Sequence, residues 1–384
     1  PEAHLTELEA LAERLDRWGD LAGFYEGLVV DGRGSPTLIA HLAAVLRDRL
    51  GDTDGAIRYF QLAVERAPEN LGSQAALAAL LTEHSRWAEL AAHHRRVAAS
   101  SFANDEKITA HLAAAHVFDE QLAEPGEAAT DLDAAWELAP TDFALAERIE
   151  ALLSGDSHRP RLQAHYRRWI ERAGSDEEST IKQRLAQSLL SAPGNAEAGL
   201  EVLAALLDDS ASRDDALPHL EGFLTDGSRT GPDWREAVEA GAALMERVIG
   251  ATPSDLQRAR IEGARLRVMP ADVDRRDKQI EVARLLDTGG DVAGAIAQYG
   301  DALRAHPGDA ELDAALEDAA SRHDAWEAVA TLWEEVQALP EAQDARDGYL
   351  RKIADVRADM LSDREGAAVW YERLLARRPD SVAA

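Results

Sequence analysis

The chain has 384 residues, no cysteine, and 71 acidic against 41 basic side chains, which gives a formal net charge of −30. This composition excludes disulfide bonds, thiolate metal sites and cysteine nucleophiles, and the charge disfavours nucleic acid and anionic membrane surfaces as partners. A basic protein surface is the better electrostatic match, while acidic helix surfaces are also typical of proteins that need no partner there. Apolar residues make up 46% of the chain but aromatic residues only 5%, because alanine carries much of the apolar content. This composition predicts an all-helical protein.

The sequence carries no targeting signal that we can identify. No apolar run approaches the roughly 20 residues of a membrane-spanning helix, and no signal peptide is visible. The chain begins at Pro1 rather than at methionine, which indicates a truncated or processed N-terminus. We therefore expect a cytoplasmic protein and leave a periplasmic location open. Scarce lysine beside abundant arginine and alanine is typical of a bacterial genome rich in G and C.

The first distinctive element along the chain opens with tryptophan. The stretch RWGDLAGFYEGLV is similar to RWAELAAHHRRVA, and Trp18 matches Trp87 between them. The stretch AWEAVATLWEEV repeats the pattern with Trp326 and Trp333, which are seven residues apart. Helical spacing within these stretches predicts hairpins that open with tryptophan and use their aromatic side chains as core contacts.

A second element closes with proline and recurs at a fixed interval. The stretch LGDTDGAIRYFQLAVERAPEN, residues 50–70, contains Pro68, and the similar stretch after it contains Pro140, 72 residues later (140 − 68). Pro307 and Pro379 are separated by the same interval (379 − 307). Two independent pairs with one offset predict a repeating unit of two helical hairpins.

The spacing inside this second element has a physical cause. Ala56, Phe60 and Ala63 fall at i, i+4 and i+7, so they share one face of a helix. The alanines allow a paired helix to come close, and Phe60 fills the space beside them. Pro68 lacks a backbone N–H and would clash with the preceding turn, so we expect it to end the helix.

The DTDG sequence at 52–55 looks at first like the start of a calcium loop. An EF-hand-type loop needs a glutamate at its twelfth position, and here that position is Ala63. The sequence instead predicts an inter-helix turn in which Asp52 or Thr53 caps the next helix. The histidines lack metal-ligand spacing, and no phosphate-binding or nucleophile motif occurs. We therefore expect no metal, no cofactor and no catalytic site.

The repeat is harder to follow in the middle of the chain. One degenerate proline-type hairpin is predicted there, with Ala198, Val202 and Ala205 at the packing positions. Breaker sequences such as DDSASRDD and TDGSRTGPDW predict longer connections between the hairpins of this region.

These observations predict three parts of the chain. The first is an N-terminal array (1–175), the second a set of irregular hairpins that continue it (176–270), and the third a C-terminal array (271–384). A domain boundary near 210–232 is the alternative.

The proline-closed element resembles the second half of a tetratricopeptide repeat (TPR). The family places a small turn residue, alanine, an aromatic residue, alanine and a closing proline at the positions of Gly51, Ala56, Phe60, Ala63 and Pro68. The first helix of each hairpin departs from the family pattern. The resemblance implies a divergent TPR-like fold, an all-α, right-handed superhelical α-solenoid of antiparallel helix hairpins.

The resemblance also implies a binding groove lined by the first helix of each hairpin. The residues at these positions are His41, Val45, Asp48, Ala113, Val117 and Glu120. Each trio is spaced i, i+4 and i+7 and forms one stripe, which we call the predicted stripe. Some TPR proteins hold a carboxylate in this groove with lysine and asparagine. Histidine, valine and acids stand here, which favours a partner with basic segments.

We therefore expect a non-enzymatic protein–protein interaction scaffold that binds a partner peptide or helix along its surface. The alternative is a structural self-assembly module that stacks through its ends into an oligomer or a larger complex. A regulatory array within a larger enzyme is a third hypothesis. None of the three requires nucleic acid or insertion into a membrane.

Overall fold

A computed structural model describes residues 4–270 and 273–378 of the chain. The described residues form 21 α-helices and no strand, so the prediction of an all-α solenoid of helix hairpins is confirmed. None of the described helices is both long and apolar enough to cross a bilayer. The chain forms two compact units that divide between Gly174 and Ser175. The three-part division at 175 and 270 stays a prediction.

Unit 1 is a run of five antiparallel hairpins with short connections. Its helices are α1 (Leu5–Leu15), α2 (Trp18–Val30), α3 (Pro36–Val45), α4 (Thr53–Arg66), α5 (Leu71–Glu83), α6 (Trp87–Ser100), α7 (Asn104–Glu120), α8 (Pro125–Leu138), α9 (Phe143–Leu152) and α10 (Arg159–Ile170). A π-helical turn, Leu46–Leu50, extends α3.

Unit 2 continues with helices of the same kind. They are α11 (Ser175–Leu190), α12 (Pro193–Asp208), α13 (Arg213–Thr225), α14 (Arg235–Ile249), α15 (Asp255–Val268), α16 (Arg276–Thr288), α17 (Val292–Ala305), α18 (Ala310–His323), α19 (Trp326–Ala338), α20 (Arg346–Asp359) and α21 (Arg364–Arg377). Two of its hydrophobic clusters lie apart along the chain, within 186–268 and within 280–374.

Hairpins of both units share one turn. A residue with positive φ is followed by a single N-cap residue, and the second helix of the hairpin then begins. Glycine adopts this conformation without steric cost at Gly51 and Gly290. Other residues hold the same position elsewhere, namely Asp16, Ser85, Ala123, Asp324 and Ser362.

Aspartate caps the second helix in several hairpins. The Asp52 carboxylate accepts a hydrogen bond from the backbone N–H of Gly55 at 2.9 Å, so the predicted turn is confirmed with Asp52 rather than Thr53 as the cap. The same bond joins Asp291 with Gly294 at 3.0 Å and Asp363 with Gly366 at 2.9 Å. A Cβ atom at the bonded glycine would collide with the carboxylate, so the pattern Asp-x-x-Gly belongs to this cap.

The predicted helix ends and starts are also found. Ala56, Phe60 and Ala63 are buried, and α4 ends two residues before Pro68. Helix α17 likewise ends two residues before Pro307, whereas Pro379 lies outside the described residues. The helices α2, α6 and α19 begin at the three tryptophans, but each is the second helix of its hairpin, so the prediction that tryptophan opens these hairpins is wrong.

The prediction for α12 is wrong by one residue. Its buried packing positions are Gly199, Leu203 and Leu206, not Ala198, Val202 and Ala205. A Cβ at position 199 would lie 2.9 Å from Cγ of Leu190, so the close approach of α11 and α12 selects glycine there. Because this contact sets the register, the buried face of α12 carries Ala196 and Gly199, whereas Ala198 and Ala205 are exposed.

Candidate protein-binding surface

The α3 part of the predicted stripe is only partly exposed. His41 is half-buried, and its Nδ1 lies 2.6 Å from Oε1 of Glu9 on α1. Val45 is buried. Asp48 faces solvent and pairs with the neighbouring Arg47 at 2.6 Å, and this hydrogen bond lowers the pKa of the Asp48 carboxyl.

The α7 part of the predicted stripe has the same mixed character. Ala113 is half-buried, Val117 is buried and Glu120 is exposed. The two valines therefore contribute to packing, while Asp48 and Glu120 present charge to solvent. The stripe as a binding surface stays a prediction.

A large apolar opening in unit 1 lies between α5, α6 and α7. It is a cavity of about 990 Å³. Its walls are three helix faces, and the loops that enter α5 and α7 form its rim. The residues that line it are Pro68, Glu69, Leu71, Gln74, Ala75, Ala78, His93, His94, Val97, Ser100, Ser101, Phe102, Ala103, Asp105, Glu106, Thr109, Ala110 and Ala113. We call it the three-helix cavity.

Small side chains create the three-helix cavity. Ala75 and Ala78 face it from α5, at positions three residues apart on one side of the helix, and Ala110 and Ala113 face it from α7 in the same way. Native interiors are close-packed, so a space of this size indicates that nothing in unit 1 fills the region between the two helices.

Two large apolar side chains stand at the mouth of the cavity. Phe102, in the loop between α6 and α7, is 98% exposed, and Leu71, at the start of α5, is 72% exposed. Single exposed apolar residues are common, but these two continue an apolar cavity outward. Together they extend the surface on which a partner could bury apolar area.

The rim of the cavity is acidic. Glu69 stands before α5, and Asp105 and Glu106 lie in the first turn of α7. All three are exposed, and among the described residues none forms an ion pair. Buried acids elsewhere in unit 1 are neutralised, as at Asp131, which contacts Arg95 at 2.7 Å. The rim therefore combines free negative charge with an apolar interior.

The cavity wall on α6 is uncharged near neutral pH. Burial, together with the nearby His94 and Arg96, lowers the pKa of His93 to about 4. Burial also lowers the pKa of His94. The Nδ1 atom of His93 is buried without a hydrogen-bond partner. Apolar groups in the cavity therefore meet no buried positive charge.

A second apolar surface lies on the first hairpin. The faces of α1 and α2 enclose a depression of about 420 Å³ that includes Leu11, Leu15 and Phe24. Leu15 is 58% exposed and Phe24 is 53% exposed. In unit 2, α21 also exposes apolar side chains, Val369 and Leu375.

The described residues contain no group of three or more histidine, aspartate and glutamate side chains placed to hold a metal ion. Buried polar side chains instead serve the core. The Trp333 Nε1–H donates to the buried Asp313 at 3.0 Å, and Lys352 lies 3.1 Å from the same carboxylate. Trp333 is thus a core contact, as predicted from its spacing.

Sequence reasoning did not identify the three-helix cavity. The signal in the sequence was weak: alanines three residues apart on two successive first helices, and a phenylalanine between polar residues in the stretch SSFAND. Alanine on a helix face is also what close helix packing requires, so the same letters predict either a tight contact or a gap.

Comparison with known proteins finds weak structural similarity to several solved structures. No protein-family model matches the sequence, and no curated protein matches it. Among solved structures, the human IFIT1 dimer with m7Gppp-AAAA has 13% identity and a TM-score of 0.27, with 94% of this chain and 82% of that chain covered. The TPR domain of P58(IPK) has 13% identity and a TM-score of 0.24, with 98% and 99% covered.

A third solved structure, Naa15/Naa10 bound to HypK-THB, has 15% identity and a TM-score of 0.25, with 98% of this chain and 63% of that chain covered. Similarity at this level carries no argument about geometry or partners. The hairpins that end in α4 and α17 have a small turn residue, a buried alanine–aromatic–alanine face and a following proline, and in these features they resemble TPR hairpins.

Proposed function

We propose that this chain is a non-enzymatic scaffold that binds a peptide or helix with basic residues. A run of helix hairpins offers an extended, preformed surface for protein interaction. The observation that carries the proposal is the unpaired negative charge of unit 1. The exposed carboxylates of Asp119 and Glu120, like those of the cavity rim, form no ion pair among the described residues. Lysine or arginine on a partner would gain affinity and association rate from this charge.

Two helical peptides test the proposal. Both carry leucine on one face, and the other face carries lysine in the first peptide and glutamate in the second. We expect fluorescence anisotropy to show binding of the lysine peptide, weakened by added salt, and no binding of the glutamate peptide. Equal binding of the two peptides, or no binding of the lysine peptide, overturns the proposal.

A pair of charge reversals tests the predicted stripe within the same assay. Glu120→Lys places a positive charge at the end of α7, while Glu365→Lys makes the same change at an exposed position of unit 2. We expect Glu120→Lys to weaken binding of the lysine peptide and Glu365→Lys to leave it unchanged. An equal effect of the two variants assigns the attraction to total charge and removes the stripe from the binding surface.

A specific observation also favours self-assembly as a second candidate function. The depression on α1 and α2 exposes Leu15 and Phe24, which a second copy of the chain could cover. Heterologous contacts between copies build rings or filaments, as the stacking hypothesis requires. Light scattering as a function of concentration separates this candidate from a scaffold that stays monomeric.

A further inference from the structure

We propose that the three-helix cavity is the docking site for an amphipathic helix of a partner protein. The apolar side chains of that helix would enter the cavity, and its lysine or arginine side chains would meet the acidic rim. This inference rests on the proposed function, and it adds the location of the site and the shape of the occupant.

The size of the three-helix cavity suits several apolar side chains. Its volume of about 990 Å³ lies at the upper end of the range of about 300–1,000 Å³ for ligand pockets. The walls at Ala78, Ala110 and Ala113 are small, so large side chains such as leucine or phenylalanine can enter between α5 and α7. Leu71 and Phe102 at the mouth would lose their exposure when a helix covers them.

The walls of the cavity favour a helix over an extended peptide. Extended peptides commonly add to a sheet edge, and the described residues contain no strand. Polyproline segments use grooves lined with several aromatic side chains, whereas Phe102 is the one phenylalanine, tyrosine or tryptophan that lines this cavity. A groove between helices instead receives an apolar helix face whose side chains recur at i, i+3, i+4 and i+7.

The acidic rim of the cavity predicts which charged residues the bound helix carries beside its apolar face. Glu69 lies on the α5 side of the mouth, and Asp105 and Glu106 lie on the α7 side. The adjacent Lys107 forms no ion pair with them in the described structure. A helix with lysine or arginine flanking its apolar face would therefore pair with carboxylates on both sides, and an acidic helix would be repelled.

Tryptophan substitutions at neighbouring positions test the proposal. Ala78→Trp and Ala113→Trp place an indole in the cavity from opposite walls, while Ala79→Trp adds the same side chain at an exposed position of α5 that does not line it. We expect the first two variants to weaken binding of the leucine–lysine helical peptide by about tenfold or more, and Ala79→Trp to bind like wild type. Circular dichroism confirms that each variant keeps its helix content.

Disulfide trapping supplies a second readout, because the chain has no cysteine of its own. Ala113→Cys introduces one thiol inside the cavity, and Ala79→Cys introduces one outside it. A peptide with a single cysteine on its leucine face should trap on Ala113→Cys and not on Ala79→Cys. With oxidised glutathione in the buffer as the oxidant, the peptide thiol and the protein thiol together lose two electrons and two protons as the S–S bond forms, and the glutathione disulfide is reduced to two thiols.

The outcomes separate this inference from the proposed function. Wild-type affinity in both Ala78→Trp and Ala113→Trp, or equal trapping at the two cysteines, overturns the cavity as the site and leaves the scaffold function standing. Disulfide-linked dimers of Ala113→Cys that form faster than peptide adducts assign the cavity to a second copy of the chain and overturn the inference. Failure of the wild type to bind the lysine peptide overturns both proposals.

Discussion

At the scale of single residues, the hairpin turn shows where the repeat carries strain. Glycine holds the positive-φ position at Gly51 and Gly290. The equivalent positions 72 residues later hold Ala123 and Ser362. The left-handed conformation costs an L-residue roughly 1–2 kcal/mol, because Cβ approaches a carbonyl oxygen. The turns at Ala123 and Ser362 therefore keep the left-handed conformation at an energetic cost, which the packing of the surrounding helices must offset.

Replacing that alanine should stabilise the protein. Ala123→Gly removes the strained Cβ at φ 53°, and we expect the free energy of unfolding to rise by about 1 kcal/mol after the greater chain entropy of glycine is subtracted. Urea denaturation measures the change. The control is Ala92→Gly at an exposed position inside α6, which should lower the free energy of unfolding by about 1 kcal/mol. A loss of stability in both variants contradicts the account.

The sequence predicted the position of this turn but not every residue that the turn requires. Gly51 marked the turn by its residue type, whereas Ala123, which holds the same position 72 residues later, gives no such signal. The glycine at position 55 was not predicted, because its cause is the capping carboxylate of Asp52 rather than its own backbone angle. The requirement for glycine at position 55 depends on the conformation of the Asp52 side chain, which the amino-acid sequence does not specify.

At the scale of helices, alanine limits what the sequence can predict. In α4 the alanines frame Phe60, so the buried face was identified from one aromatic residue. In α12 alanines occupy both faces, and the register followed Gly199 instead. Around the three-helix cavity alanines border a gap. Whether a small side chain meets a neighbouring helix or leaves space depends on the position of that neighbour, which periodicity does not contain.

The buried histidine of α6 predicts a pH dependence. The pKa of His93 is lowered from 6.5 to about 4, so the unfolded chain takes up a proton below about pH 6.5 that the folded chain excludes until about pH 4. The stability that neutral His93 contributes is thus complete above this window and is lost as the pH falls through it. We expect a loss of about 2 kcal/mol between about pH 7 and pH 5.

Urea denaturation at the two pH values tests that assignment. His93→Gln removes this titrating group and should make the dependence between them shallower, although His94, whose pKa burial also lowers, still contributes to it. His84→Gln, at an exposed position of the same hairpin, should leave the dependence as in wild type. Equal slopes in wild type and His93→Gln would assign the acid sensitivity to other groups. The test compares the change in the free energy of unfolding between the two pH values. A variant that is less stable at both pH values by the same amount therefore does not affect it.

At the scale of the whole molecule, the net charge of −30 opposes self-association. Part of the acidic excess is neutralised within the repeats, as at Arg276, which contacts Asp309 at 2.6 Å and lowers the pKa of that carboxyl to about 2. Both of these side chains are half-buried, whereas ion pairs between exposed side chains contribute little stability individually. The unpaired carboxylates remain, and they repel other copies of the chain at low ionic strength.

Salt should therefore reveal whether the apolar surface of α1 and α2 joins copies of the chain. The screening length falls from about 30 Å at about 0.01 M salt to about 3 Å at about 1 M, while apolar attraction persists. If assembly is a function, the molar mass from light scattering should rise with protein concentration at high salt and stay monomeric at low salt. Leu15→Glu combined with Phe24→Glu should abolish that rise, and Leu375→Glu tests α21 as the opposite contact. A monomer under all conditions rules out assembly through these surfaces.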